Sequence, residues 1–201
     1  MTDDTERVER IAKLAAERKV RVVTSESLTS GTVATRLGAG PDAADWFGGG
    51  IVAYQEPVKF DVLGVEEGPV VTEACARQMA TGARDLLGAD VAVSCTGVGG
   101  PDPSEGKPAG TVIVAVASGE ELAVRELALD GSPEDVLAET ASHCLAAIGS
   151  HLGPGGVALL QLGPDGQVQA VADMLANSEL VAGETRDFGE RGVLLRIDHR
   201  C

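Results

Sequence analysis

Ser27 stands where an apolar run, VRVV, gives way to small hydroxyl residues: Thr24, Ser25, Ser27, Thr29 and Ser30 crowd one stretch, with Glu26 among them. A hydroxyl at such a strand-to-helix turn has two readings. Ser and Thr commonly cap helix N-termini by accepting backbone N–H bonds. At the carboxyl end of a strand in an α/β sheet, however, the same turn faces the crevice where ligands bind. A serine there can act as a nucleophile if a neighbouring base takes its proton. The sequence has no GxSxG elbow and only three scattered histidines, so a Ser/His/Asp triad finds little support.

A lysine whose pKa is lowered by burial is the other common base. Lys59, in AYQEPVKF, follows an apolar strand and lies five residues after the only tyrosine, Tyr54. Its alternative is a solvated helix residue, the usual state of lysine. The third unusual segment, TGVGGPDPSEGKPAGT, begins at Thr96. It is no dinucleotide fingerprint, because Asp102 replaces the third glycine and prolines interrupt the required helix. Gly97, Gly99 and Gly100 still allow backbone N–H groups to approach a carbonyl or phosphate oxygen closely. A flexible connector is the competing reading.

The elements that must position these residues are legible from periodicity. Val8, Ile11, Ala12 and Ala15 predict an amphipathic helix over residues 5–18, followed by a strand over 20–25. A second helix is expected from near Ser30 to the LGAGP punctuation. GGIVAY then reads as a strand, and a short helical segment follows over 58–63. Thr72 is the expected N-cap of a helix ending at Gly88. DVAVSCTG reads as a buried strand. GTVIVAVAS and ELAVRELAL predict an antiparallel hairpin, which makes the sheet mixed. Ser132, Pro133, Glu134 and Asp135 open a long helix whose buried stripe runs from Val136 through Leu137, Thr140, Ala141, Cys144, Leu145 and Ile148 to Leu152.

Composition bounds the rest. The 201 residues suffice for one well-filled core, and with three Phe, one Trp and one Tyr that core must be built from Val, Ala and Leu. A formal charge of −15 argues against nucleic acid as the main partner, since phosphate neutralisation needs clustered Lys and Arg. No apolar run reaches membrane-spanning length, and the acidic N-terminus lacks the pattern of a signal peptide. The four cysteines show neither CxxC nor metal-ligand spacing, so reduced thiols in the cytoplasm are expected. Pro154, Gly155 and Gly156 mark a boundary between a domain over residues 1–153 and a small β/α extension over 154–201. The extension is expected to hold a strand, a helix over 167–177 and one or two closing strands. It is too short for an independent core, so it is expected to dock on the domain or on a partner subunit.

SESLTSG, AYQEPVK and TGVGGPDPSEGKPAGT, taken in that order, resemble the signature segments of the CinA C-terminal domain family, the nicotinamide-mononucleotide amidohydrolases. The resemblance covers residues 5–152. It implies a stand-alone form of the domain, a three-layer α/β/α sandwich with a mixed central sheet, and hydrolysis of the carboxamide of a nucleotide to a carboxylate and ammonia, without metal or cofactor. The nucleophile of the family pattern falls on Ser27, and the tyrosine and lysine fall on Tyr54 and Lys59, either of which is expected to take its proton and help protonate the leaving ammonia. Substrate contacts are expected from Glu26, Thr29, Ser30, Gly31, Thr96, Gly97, Gly99, Gly100 and Lys107. Oxyanion donors are sought among the N–H groups of residues 29–31 or 97–100. The partner expected is a small nucleotide, with a homo-oligomer possible. The alternative from another class is a catalytically silent relative that binds a nucleotide or a protein.

Several positions depart from the family pattern. Leu28 and Ser30 replace a frequent Cys and Gly. Glu56, beside the proposed base, is expected to raise the pKa of Lys59. Pro133 and Leu137 stand where arginines are usual, leaving Arg21, Arg36 or Lys107 as the candidate cations for a phosphate in their place.

Overall fold

The computed structural model describes residues 2–153, 158–162, 180–187 and 193–199, with side chains over 4–153. The chain divides into two compact units at 149/150, four residues before the boundary expected from the Pro and Gly run. In the first unit, β1 (Val22–Glu26), β2 (Phe47–Val52), β3 (Val91–Gly97), β4 (Thr111–Ser118) and β5 (Glu121–Ala128) form one sheet in the order β2-β1-β3-β4-β5. β1 runs parallel to β2 and β3, whereas β4 pairs antiparallel with β3 and β5. The hairpin closes between Ser118 and Glu121, as the glycine at 119 suggests. Every residue of central β1 is buried, and edge strand β5 alternates exposed with half-buried positions.

Helices cover both faces. On one lies α4 (Glu73–Leu87), opened by Thr72, whose side chain accepts from Cys75 N, and closed by left-handed Gly88. Its Ala76 and Ala80 pack with Ile113, Ala115 and Ala117 of β4, while Cys75, Met79 and Ala83 pack with Ala53, Leu63 and Val65. The other face carries α1 (Thr2–Arg18), α2 (Thr32–Gly38) and α5 (Pro133–Leu152), with a single turn α3 (Ala43–Trp46) between α2 and β2. Asp4 ties the three longer helices together, accepting from Arg7, from Arg36 at 2.5 Å and from Ser142 at 2.7 Å. The expected stripe of α5 is buried at Val136, Thr140, Ala141, Cys144, Leu145, Ile148 and Leu152, with Leu137 half-buried at its start. A Val- and Ala-rich core thus forms a three-layer α/β/α sandwich with a mixed sheet.

Two local differences from the sequence expectation matter for function. The second helix begins at Thr32 rather than near Ser30, because residues 28–31 form a turn around a buried carboxylate. The segment over 58–63 is a π-helical turn, Val58–Val62. In the second unit, β6 (Ala158–Leu162), β7 (Leu180–Asp187) and β8 (Val193–His199) form an antiparallel sheet in the order β6-β8-β7. The helix expected over 167–177 lies outside the described residues.

Candidate active site

β1, β2 and β3 end at one edge of the sheet, the carboxyl edge where doubly wound proteins bind ligands. Ser27 follows β1 directly. Its N–H donates to Cys95 O at 3.0 Å, so the backbone is held by β3, while its hydroxyl makes no hydrogen bond among the described residues. Helix α2 opens instead at left-handed Gly31, with no side-chain cap from Ser27. The capping reading of the serine is therefore not the one the structure adopts.

Glu26 does the capping. Its carboxylate, 1 % exposed, accepts from Thr24 Oγ1, Thr29 Oγ1, Gly31 N, Val33 N and Ala34 N, the closest at 2.7 Å. A carboxylate at a helix N-terminus satisfies the orphan donors and complements the dipole. Glu26, Thr29 and Gly31, expected as substrate contacts, thus spend these groups on the turn itself. Ser30 is exposed and its N–H returns to Ser27 O. The sequence held a signal for this arrangement that the reading missed: a Glu just before a run of hydroxyl and glycine residues, within reach of the next helix start.

Lys59 is 1 % exposed, which excludes the solvated reading. The π-helical turn carries its side chain inward, where Nζ donates to Ala53 O at 2.6 Å and Tyr54 O at 3.3 Å. Burial lowers its pKa below the ordinary 10.5, against the opposing negative fields of Glu56 and Glu105. The expectation that Glu56 raises the pKa thus holds for its own contribution, and burial outweighs it. Cys75 beside it is pushed up to about 11 by burial, so it remains a neutral thiol. No hydrogen bond joins Lys59 Nζ to Ser27 Oγ among the described residues. They are tied through one residue: Ala53 N donates to Glu26 O at 2.7 Å, and Ala53 O accepts from Lys59. Tyr54 contributes that second carbonyl, while its residue is 66 % exposed.

The glycine segment completes the edge. Thr96 is turned away from the crevice, its Oγ1 donating to Val70 O at 2.9 Å. Gly97 is obligatory for packing, since a Cβ there would collide with the Thr111 carbonyl and lie 2.8 Å from Val112 Cα. Val98 exchanges backbone bonds with Thr111 and Gly110, which fixes the start of the loop. Beyond it, the half-buried Gly99 and Gly100 have N–H groups with no acceptor among the described residues. The Ser30 and Gly31 N–H groups are occupied, whereas those of Thr29, Gly99 and Gly100 make no hydrogen bond among the described residues and are available to an incoming oxygen. Lys107, on the far side of the loop, donates to Glu126 at 3.4 Å. Cys75, Cys95 and Cys144 are free and buried, as expected of reduced thiols. No group of three or more His, Cys, Asp or Glu is placed to hold a metal among the described residues, and no helix there is long and apolar enough to cross a membrane.

With helices on both faces of a mixed five-stranded sheet, the chain is an α/β/α sandwich protein whose serine turn, buried lysine and glycine loop meet at the carboxyl edge of β1, β2 and β3. The model of the CinA C-terminal domain matches residues 4–152, and the chain belongs to that family. It is 40 % identical over 137 residues to a putative competence-damage inducible protein of Geobacillus sp. (strain WCH70), covering 65 % of this chain and 33 % of that protein. It is 38 % identical over 140 residues to a CinA-like protein of Sulfurihydrogenibium sp. (strain YO3AOP1), covering 67 % of this chain and 35 % of that protein. The chain therefore spans about a third of the length of the curated relatives it matches. Among solved structures, a CinA superfamily protein from Klebsiella pneumoniae 700603 superposes with a TM-score of 0.71 at 34 % identity, covering 74 % of this chain and 97 % of that one. A competence or damage-inducible protein from Enterobacter asburiae gives a TM-score of 0.73 at 27 % identity, covering 75 % and 98 %.

Proposed function

We propose that this chain hydrolyses the carboxamide of nicotinamide mononucleotide, or of a close relative of it, with Ser27 as nucleophile. The observation that carries the reading is the state of Lys59. It is buried, its pKa is lowered, and its Nζ rests on two carbonyls. When Lys59 is deprotonated, its amine has two N–H bonds and one lone pair, so the two carbonyl acceptors can take both donors and leave the lone pair for a proton. In this reading Ser27 Oγ adds to the amide carbon as its proton passes to Lys59. The N–H groups of Gly99 and Gly100 receive the developing oxyanion. Lys59 returns the proton to the leaving nitrogen, the C–N bond breaks and ammonia departs. Water then cleaves the ester at Ser27 with Lys59 again as base, and the carboxylate product leaves.

The test is ammonia release from the nucleotide by purified protein. Turnover abolished by Ser27→Ala and by Lys59→Met supports the mechanism; no turnover, or turnover unchanged in Ser27→Ala, sinks it. A second reading, a silent nucleotide-binding relative, draws on the same lysine: its Nζ bonds carbonyls and not the serine. Calorimetric binding of the nucleotide without ammonia release favours that reading.

A further inference from the structure

The wall of the crevice next to the glycine loop is the first turn of α5. A Cβ placed on Gly99 would lie 3.8 Å from Leu137 Cδ2 and 4.0 Å from Leu28 Cβ, and one on Gly100 would lie 3.9 Å from Pro133 Cγ. Leu28 is the neighbour of Ser27, so this apolar wall stands against both the nucleophile turn and the proposed oxyanion donors. The charged groups around it are acidic. Glu134 and Asp135 occupy the first turn of α5, both exposed, and Asp130 precedes it. Asp102 follows the loop, and Glu56 and Glu105 act on the buried lysine from the other side.

The cations are spent or placed elsewhere. Lys107 is paired with Glu126, and Arg36 with Asp4. Arg21 lies at the opposite end of the sheet, where its N–H bonds the Asp90 side chain and its stem packs by Gly48. Arg77 donates to Leu122 O and faces Glu73. None of these four cations is left free for a phosphate at the crevice, and the Gly99 and Gly100 N–H groups are committed to the oxyanion in the reading above; what stands beside them is acidic and apolar. A cationic ring meets the reverse: acidic groups attract it, and Leu28, Leu137 and Pro133 cover its faces.

We propose that the site selects a phosphate-free, cationic carboxamide, an N-glycosylated pyridinium nucleoside such as nicotinamide riboside, over the phosphorylated nucleotide. This rests on the reading above that Ser27 opens a pyridinium carboxamide, and it specifies which relative. The balance is that of amide hydrolysis: water supplies the carboxylate oxygen, the C–N bond breaks, and the nitrogen leaves as ammonia. The glycosidic bond is untouched.

The experiment compares nucleoside and nucleotide on the full chain, by kcat/KM for ammonia release and by calorimetric Kd on the Ser27→Ala variant. The nucleoside is expected to lead by about tenfold or more at low salt, with the gap narrowing as salt screens the rim. Leu137→Arg and Glu134→Lys are expected to shift the ratio toward the nucleotide by a similar factor. Equal or tighter binding of the nucleotide to Ser27→Ala overturns the selectivity, even if both compounds are hydrolysed, and so does a ratio that neither variant moves. Tighter binding of the nucleoside supports the selectivity even where the wild type releases no ammonia, a result that overturns only the hydrolytic reading. Failure of both compounds to bind overturns both.

Discussion

Replacing Glu26 with Gln tests whether one buried carboxylate holds the nucleophile turn. Oε1 accepts from Thr24 and Ala34, and Oε2 from Thr29, Gly31 and Val33. The amide keeps one oxygen, and the favourable flip places it on the three-donor side. Its NH2 then faces the Ala34 N–H, donor against donor, while the Thr24 hydroxyl can rotate to accept. The loss is one charge-assisted bond, about 1.5–3 kcal/mol, plus weakening of the three that remain as the charge disappears. The total is about 3 kcal/mol, or a fall of roughly 6–12 °C in thermal midpoint for a chain of this size. Trp46 is the only tryptophan, 2 % exposed and bonded to Pro41 O close to α2, so its fluorescence follows the first unit. Thermal denaturation read at Trp46, alongside ammonia release, is the assay. A midpoint within about 1 °C of wild type would refute the argument, because the five bonds would then be dispensable.

The remaining predictions separate chemistry from stability. Ser27→Ala should reduce ammonia release by about 10³-fold or more without moving the thermal midpoint, because the hydroxyl it removes makes no hydrogen bond. In Lys59 the folded pKa lies below the unfolded 10.5, so between these values the unfolded chain binds more protons and stability rises with pH. Lys59→Met should abolish that rise in urea titrations at stepped pH and also abolish turnover. Gly97→Ala should cost about 1–3 kcal/mol by driving a methyl into the Thr111 carbonyl, read as a lower urea midpoint. Burial raises the pKa of Asp4, but its bonds to Ser142 and Arg7 and the charges of Arg36 and Arg7 outweigh this and hold it below 3.8. Its contribution is therefore present above 3.8 and lost as pH falls through the lowered value, so Asp4→Asn should flatten the acid limb of the stability profile.

Much of the fold could be read from periodicity because packing enforced it. The stripe Val8, Ile11, Ala12, Ala15 is buried along α1, and α4 is capped by the Thr72 hydroxyl at its start and by the left-handed backbone of Gly88 at its end. The start of α2 was less legible. Ser30 has the composition of a helix opener, but the donors of residues 31, 33 and 34 bond a carboxylate five to eight positions earlier, a tertiary arrangement that capping statistics do not contain. Lys59 was ambiguous for a related reason. Its burial depends on a π-helical turn, whose extra residue changes which way a side chain points and leaves no periodic trace in five residues. Tyr54 shows the limit of motif spacing: its place in the segment is met, and what it gives the buried lysine is a backbone carbonyl that any residue would supply.

Ser27 and Lys59, the nucleophile and base of the proposed mechanism, are coupled through the backbone. The parallel pairing of β1 and β2 runs one step beyond the strands, with Ala53 N donating to the carbonyl of Glu26. The carbonyl of the same residue receives the Lys59 ammonium or amine. Ala53 is fully buried and packs against Leu63, Val65 and Cys75, so it cannot shift without opening the core under α4. The separation of Ser27 and Lys59 is thus set by one rigid residue between two hydrogen bonds, and not by a direct contact. A base held this way is positioned before substrate arrives, at no cost in side-chain entropy during the reaction. It also explains why the two side chains need not touch in the free protein. In the mechanism proposed above, a carboxamide bound against Gly99 and Gly100 would complete the path by which the proton of Ser27 reaches the lone pair of Lys59.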